Sequence, residues 1–205
     1  TMEIIKDIEQ GSKEWLQLRL GVATASDFKK IITSTGKESK TLKDYALELA
    51  SESLLTEPES SYKSEAMQRG NDLEDEARKY YSFITDTKVD QVTFIKKDDE
   101  IGYSPDGLID DNGSIEIKCP QKKNHLKYLV DNKLPAEYKS QVQGGLYISG
   151  RDYCDFISYH PLFKDDKKMM VVRVGRDEEY IKTLSELINK TIELKEKFIN
   201  SITIK

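Results

Sequence analysis

Apolar residues recur every three to four positions through the first third of the chain and again at its end, a spacing that predicts amphipathic helices. The first helix begins after Ser12, a good N-cap. The sequence TASD at 24–27 has the form of a capping box and predicts a second, short helix. Longer helices are predicted over 42–55, 66–84, 124–132 and 136–149. A closing helix is predicted from its apolar stripe of Ile181, Leu184, Ile188, Ile192, Ile199 and Ile202.

The middle of the chain has a different pattern, in which short apolar runs with alternating polarity are separated by turn residues. The turn signals include Pro105-Asp106-Gly107 and Asp111-Asn112-Gly113. Strands are predicted over 88–97, 101–104, 107–109, 114–118, 153–159 and 169–174. Helices, then strands, then helices and strands again indicate an α/β sandwich around a mixed β-sheet of about five strands.

Composition is that of a globular domain, because 37% of the 205 residues are apolar and 34% are charged. The length fits a single domain over 1–205. No run approaches the roughly 20 apolar residues that a membrane span needs, and the first ten residues lack the pattern of a secretory signal. Cys119 and Cys154 are the only cysteines, which favours a reducing cytoplasm. We expect Cys119 to be a small buried residue.

The net charge of −5 argues mildly against nucleic-acid binding, because neutralising phosphates requires Lys and Arg. The objection is limited, since a nuclease that gathers carboxylates around metal ions can be acidic overall. Only the face that meets DNA has to be basic.

The segment that carries the strongest chemical signal is SPDG followed by EIKCP. Side chains alternate along a strand, so Glu116 and Lys118 share one face while Ile117 points to the other. A hairpin between 107–109 and 114–118 would return Asp106 beside them. Two carboxylates and an ammonium suit Mg²⁺ or Mn²⁺ and the hydrolysis of a phosphodiester.

The residues alone leave a plainer alternative open. Asp-Gly is a common turn signal, and Glu-x-Lys on the exposed face of a strand is ordinary surface. The acidic run 72–76 can equally be the solvated face of a helix.

Several ordered blocks resemble the phage-type recombination exonucleases, the family of bacteriophage lambda exonuclease and the YqaJ-like viral recombinases. Beside Pro105-Asp106 and Glu116-Ile117-Lys118, the blocks are QGSKEWLQLRLGVATASDF (10–28), RGNDLEDEAR (69–78) and SQVQGGLYISG (140–150). These proteins belong to the PD-(D/E)xK superfamily. The resemblance covers nearly the whole chain and implies a restriction-endonuclease-like fold.

The resemblance also implies roles for individual residues. Asp106, Glu116, the Ile117 carbonyl and Glu74 would bind the metal ions, and Lys118 would orient the attacking water. Gln141 would help to place the water or the nucleotide, although the sequence alone allows it to be a polar residue on an amphipathic helix.

A pocket for the 5′-phosphate of a DNA end would contain Arg19 and Ser26, with help from Ser104. Arg19 offers a bidentate fork to phosphate, and Ser26 would lie at the first turn of the helix that TASD begins, where anions bind. The alternative is a capped helix beside a surface arginine. Trp15 is expected to be a core anchor.

The function implied is that of a Mg²⁺-dependent 5′→3′ exonuclease, with Mn²⁺ as a substitute, which leaves 3′ overhangs on double-stranded DNA. The implied partners are double-stranded DNA ends, a single-strand annealing protein and two further copies of the chain in a ring. The location would be the cytoplasm of a bacterium that carries the phage or prophage. The alternatives are an endonuclease of restriction or repair type and a non-catalytic module that binds DNA ends.

Overall fold

The computed structural model describes residues 2–59 and 65–202. Its α-helices are α1 Lys13–Arg19, α2 Leu42–Ser53, α3 Glu65–Thr85, α4 Lys122–Asp131, α5 Lys139–Ser149 and α6 Glu178–Asn200. Its strands are β1 Glu3–Ile5, β2 Ala23–Thr24, β3 Phe94–Lys96, β4 Ile101–Tyr103, β5 Gly107–Ile109, β6 Gly113–Lys118, β7 Tyr153–Tyr159 and β8 Met169–Gly175. Short 3₁₀ helices cover Ala25–Lys30, Ala136–Tyr138 and Asp165–Lys167.

The strands form two four-stranded sheets, in the orders β1-β3-β4-β2 and β5-β6-β7-β8. The second sheet is mixed, because β6 pairs antiparallel with β5 and parallel with β7. The predicted α/β class is confirmed, but the mixed sheet has four strands rather than about five. Pro105 lies between β4 and β5, and β4 pairs with β3 and β2 in the other sheet.

The mixed sheet is covered on both faces. Ile115 and Ile117 of β6 pack in one cluster with Ala77 and Tyr81 of α3. On the opposite face, apolar residues of β7 pack against α4 and α5, and that cluster includes Cys154, Phe156, Tyr128, Val142 and Leu146. The parallel connection from β6 to β7 passes through α4 and α5, as a crossover between parallel strands requires.

Helix α5 lies very close to its neighbours because Gly144 and Gly145 have no side chains. A Cβ atom on Gly144 would lie 2.4 Å from Cδ2 of Phe28 in the first 3₁₀ helix, and one on Gly145 would lie 2.7 Å from Cζ of Tyr103 in β4. The two glycines therefore let α5 join the two sheets at the point where the candidate site lies.

Several boundaries differ from the prediction. The predicted strand over 88–97 forms only at Phe94–Lys96, and β1 and β2 were not predicted. The TASD segment begins a 3₁₀ helix without a side-chain cap, because the Thr24 hydroxyl accepts a hydrogen bond from Arg19 instead. Residues 60–64, in the predicted loop before α3, lie outside the described part of the chain.

Two smaller expectations also need correction. Ile202, the last member of the predicted apolar stripe, lies beyond the end of α6 and is exposed. Cys119 is half-buried rather than buried, and burial raises the pKa of its thiol to about 12. In the part of the chain covered by the structure, no helix is both long and apolar enough to span a bilayer.

Candidate active site

The turn between β4 and β5 brings Asp106 to the middle of β6. In the β5–β6 hairpin, Gly107 pairs with Ile115, and Oδ2 of Asp106 accepts a hydrogen bond of 2.6 Å from the backbone N–H of Ile117. The side chain of Gln10 supports the turn from outside by donating to the Pro105 carbonyl at 3.3 Å. Burial raises the pKa of Asp106, although the Lys118 charge opposes this shift.

Glu116 is the most deeply buried acid of the site, with 1% of its surface exposed. Its Oε1 atom accepts hydrogen bonds from Nζ of Lys118 at 2.6 Å and from Nε2 of Gln141 at 2.5 Å. Its Oε2 atom is buried without a hydrogen-bond partner among the described residues. A buried polar atom without a partner costs about 1–3 kcal/mol, so this oxygen points to a ligand that belongs there.

The electrostatics of Glu116 and Lys118 are set by burial and by each other. Burial raises the pKa of Glu116 to about 7 against the opposing effect of Lys118, and repulsion from Asp106 adds to the increase. Burial would lower the pKa of Lys118, but the two carboxylates outweigh it and the pKa rises. Lys118 therefore remains protonated and positively charged. Its Nζ also lies 5.3 Å from the ring centroid of Tyr138, within reach of a cation–π interaction.

Glu74 approaches the same cluster from α3, with 25% of its side chain exposed. Burial raises its pKa to about 8, and the nearby Asp106 adds to the increase. Its neighbour Asp75 is exposed and pairs with Lys79, with Nζ and Oδ2 2.6 Å apart. The structure thus separates Glu74 from the solvated carboxylates of this run, a distinction that helical periodicity alone does not make.

Arg78 is a residue of this site that sequence reasoning missed. Its guanidinium donates from Nη2 to Oε1 of Glu74 at 2.8 Å and from Nε to the Asp106 carbonyl at 2.7 Å. One signal in the sequence could have indicated this contact. Arg78 follows Glu74 by four residues on a helix, a spacing at which opposite charges form ion pairs.

The acidic groups fit a hard cation that keeps part of its water shell. Among the side chains that the structure describes, no three His, Cys, Asp or Glu residues form a metal-binding group by themselves. Asp106 and the partnerless oxygen of Glu116 can each supply one ligand. This small donor set suits Mg²⁺, which usually binds through one or two carboxylates, several waters and substrate phosphate.

A second cluster surrounds Arg19. Its Nη2 donates to Oγ1 of Thr24 at 3.1 Å and to Oγ of Ser26 at 3.2 Å, and its guanidinium lies 4.4 Å from the ring centroid of Trp15. Burial lowers the pKa of Arg19, but the group remains charged because an arginine is not deprotonated in proteins. Within the described residues Arg19 makes no ion pair.

The other predicted members of this cluster are placed differently. Ser104 does not bond to Arg19 or Ser26, and its Oγ accepts a hydrogen bond of 3.0 Å from Nε1 of Trp15. Trp15 is half-buried. The Arg19 guanidinium lies over the face of its ring, and the N–H at the edge of the ring donates to Ser104. Trp15 is therefore the platform of this cluster rather than a core anchor.

One cleft is lined by a residue of each cluster. Its lining residues are Ser26, Lys29, Glu137, Tyr138, Ser140 and Gln141. Ser26 belongs to the arginine cluster and Gln141 to the carboxylate cluster, so a single ligand chain lying in this cleft can reach both. The close packing of α5 against the 3₁₀ helix produces this arrangement.

The mixed sheet, its flanking helices and the carboxylates of its β5–β6 hairpin define a restriction-endonuclease-like fold. The YqaJ-like viral recombinase domain matches residues 14–152, and the chain belongs to this family. No curated protein matches the chain.

Solved structures agree with this assignment. An alkaline exonuclease (LHK-Exo) from Laribacter hongkongensis superposes with a TM-score of 0.83 at 32% identity, over 92% of this chain and 95% of that one. LHK-Exo in complex with dAMP gives 0.82 at 34% identity over the same shares. A phage-related exonuclease from Haemophilus somnus 129PT shares the fold, with a TM-score of 0.71 at 18% identity over 89% of this chain and 96% of that one.

Proposed function

We propose that this protein is a Mg²⁺-dependent DNA exonuclease of recombination, which removes nucleotides from the 5′ ends of double-stranded DNA and leaves 3′ overhangs. The observation that carries the proposal is the buried Oε2 of Glu116, which has no hydrogen-bond partner among the residues that the structure describes and lies beside Asp106 and Lys118. The similarity to an alkaline exonuclease at 32% identity supports the reaction class.

In the proposed reaction the cation would be held by Asp106, Glu116 and the Ile117 carbonyl. When bound, it would lower the pKa of a water molecule and neutralise charge on the scissile phosphate. Mn²⁺ would substitute for Mg²⁺, since both prefer oxygen ligands. Glu74 is 25% exposed and held by Arg78, and it would bind the cation through a water molecule.

Lys118 and Gln141 would act on the reacting groups from the other side of Glu116. Both donate to Oε1 of this residue, which fixes their polar ends within about 3 Å of one carboxylate oxygen. The ammonium of Lys118 would orient the attacking water and offset the charge that develops on the phosphate. Gln141 lines the cleft and would position the nucleotide beside it.

The proposed polarity depends on the arginine cluster. Within the part of the chain that the structure describes, the charge of Arg19 has no ion-pair partner and lies next to two hydroxyl groups, which is the chemistry that binds a terminal phosphate. Ser104 would contribute indirectly, by holding the Trp15 ring on which Arg19 lies. A 5′-phosphate held there would place the following phosphodiester in the cleft that leads to Gln141.

The assembly and setting of the enzyme are further parts of the proposal. Membership of a viral recombinase family supports a role in phage-type recombination with a single-strand annealing protein, in the cytoplasm of a bacterial host. A ring of three copies would place DNA in a channel and reconcile the net charge of −5 with DNA binding. Light scattering in solution tests this assembly, for which three times the mass of the chain is expected.

The decisive experiment is a timed digestion of linear duplex DNA labelled at either the 5′ or the 3′ end, with Mg²⁺ or EDTA. We expect early release of the 5′ label as mononucleotide and no release in EDTA. Loss of the 3′ label first would contradict the polarity. Closed circular DNA is the control, and cutting of the circle at a similar rate would identify an endonuclease.

A further inference from the structure

Arg78 is a buried residue of α3 that has no direct role in the reaction as proposed above, where it serves only as the partner of Glu74. Only 8% of its surface is exposed. Its guanidinium donates to three acceptors, of which two are Oε1 of Glu74 at 2.8 Å and the Asp106 carbonyl at 2.7 Å. The third is Oδ1 of the exposed Asp75, at 3.2 Å. Among the described residues, every hydrogen bond of this side chain is therefore directed at the carboxylate cluster or at the helical turn that carries it.

The bond to Asp106 is made with its backbone rather than with its charge. Oδ2 of Asp106 is held separately by the N–H of Ile117 at 2.6 Å. Two contacts thus hold the Asp106 turn. The backbone of β6 bonds to the Asp106 side chain, and Arg78 of α3 bonds to the Asp106 carbonyl. Charge neutralisation alone would not require the second of these contacts.

Glu74 depends on the same guanidinium for its orientation. A glutamate loses up to about 2 kcal/mol of side-chain conformational entropy when it is fixed, and Arg78 is its only hydrogen-bond donor among the described side chains. Because the guanidinium is planar and rigid, its contacts with Glu74 and Asp106 fix the positions of these two residues relative to each other. A lysine would keep the charge but could not reproduce this geometry.

We propose that Arg78 is a positioning residue that holds Glu74 of α3 and the Asp106 turn as one unit, and so sets the spacing of the acidic groups offered to a divalent cation. This inference rests on the proposed function, in which the same cluster binds Mg²⁺. It adds a residue that is not itself a metal ligand and acts through the Glu74 carboxylate and the Asp106 backbone carbonyl.

The test is the affinity of the DNA-free protein for Mn²⁺, measured by calorimetry, in Arg78→Lys and Arg78→Gln. Residues that orient metal ligands typically contribute about 10–100-fold to metal affinity. We expect Arg78→Lys to weaken Mn²⁺ binding about tenfold and Arg78→Gln to weaken it at least as much. The Mg²⁺ concentration for half-maximal digestion should rise by a similar factor, while the rate at saturating Mg²⁺ changes less than about threefold.

The matched control is Arg173→Lys. Arg173 also uses two guanidinium nitrogens, at 2.8 and 2.9 Å from the oxygens of the buried Asp155, to which Tyr81 of α3 is bonded as well. This substitution perturbs a bidentate guanidinium–carboxylate pair between β8 and β7, outside the acidic cluster, so it should leave the affinity for Mn²⁺ unchanged. Circular dichroism confirms that each variant is folded, and either Arg78 variant suffices if the other is unfolded.

A double substitution separates positioning from general stability. In a Glu74→Gln background, Arg78→Lys should weaken Mn²⁺ binding by a smaller factor than it does in the wild-type protein, because one of the two groups it positions is already lost. Wild-type affinity in both folded Arg78 variants, or equal weakening in Arg173→Lys, overturns this inference alone. A wild-type protein that binds no Mn²⁺ overturns the proposed function and the inference together.

Discussion

Nζ of Lys118 lies 2.6 Å from Oε1 of Glu116, although the two residues are separated by Ile117. The contact exists because alternate residues of β6 face the same side of the sheet. It occupies one oxygen of the carboxylate and leaves Oε2 without a partner within the described part of the structure. The pair thus combines a fixed cation with an oxygen that is free to bind a metal ion.

This relationship predicts that metal binding and turnover can be separated. Lys118→Ala should retain Mg²⁺ binding, since the lysine is not a ligand, while digestion of duplex DNA slows by about 10²–10³-fold because developing charge loses its stabilisation. Glu116→Gln should lose both properties. Calorimetry with Mg²⁺ and initial digestion rates measure the two effects. A Lys118→Ala variant that digests DNA at the wild-type rate would contradict the role assigned to this lysine.

The raised pKa values predict how the site responds to pH. Burial raises the pKa of Glu116 from 4.5 to about 7 and that of Glu74 from 4.5 to about 8. The folded protein therefore holds protons that the unfolded chain has released. The stability that these protons contribute is complete below pH 4.5 and is lost as the pH rises through 7 to 8.

A divalent cation competes with those protons, so its affinity should rise with pH. Below these pKa values we expect a change of about tenfold per pH unit for each proton displaced. The increase in Tm on addition of Mg²⁺ should be larger at pH 9 than at pH 6, and Glu116→Gln should abolish most of this difference. An equal increase in Tm at both pH values would show that binding displaces no proton from these carboxylates, and would contradict their raised pKa values.

The hairpin at the centre of the site could be predicted because its geometry is local. The turn signal at Asp106 and the alternation of β6 are both short-range properties, and they place Glu116 with Lys118 and apart from Ile117. The contact of Arg78 with the Asp106 carbonyl joins residues 28 positions apart, and no short-range pattern reports it. The same is true of β2, a two-residue strand that exists only because it pairs with β4.

The arginine cluster predicts a preference for one kind of DNA end. Arg19→Ala removes the charge beside Thr24 and Ser26, so digestion of 5′-phosphorylated ends should slow by at least tenfold, since hydrogen bonds to charged groups contribute about 1.5–3 kcal/mol. Ends with a 5′-hydroxyl should be affected much less, because they lack the group that Arg19 would bind.

The rate of digestion from a 5′-hydroxyl end of the same duplex provides the control for this substitution. Arg19→Lys keeps the charge but loses the guanidinium fork and its stacking on Trp15, so an intermediate defect is expected. If Arg19→Ala slows digestion equally on both kinds of end, Arg19 does not recognise the phosphate.

The packing of α5 predicts that a single methyl group at Gly144 disturbs the site from a distance. The added Cβ would lie 2.4 Å from Cδ2 of Phe28, whose side chain is fully buried and has little room to move. Gly144→Ala should lower the free energy of unfolding by about 1–3 kcal/mol. It should also slow digestion, because α5 carries Gln141 and forms one wall of the cleft that contains Ser26.

Gly175→Ala is the control, since nothing lies within 4 Å of its added Cβ. Urea unfolding of this variant should show a change in the free energy of unfolding below about 0.5 kcal/mol. Restoring space with Phe28→Leu in the Gly144→Ala variant should recover part of the digestion rate, and no recovery would indicate that the contact with Phe28 does not set the position of α5.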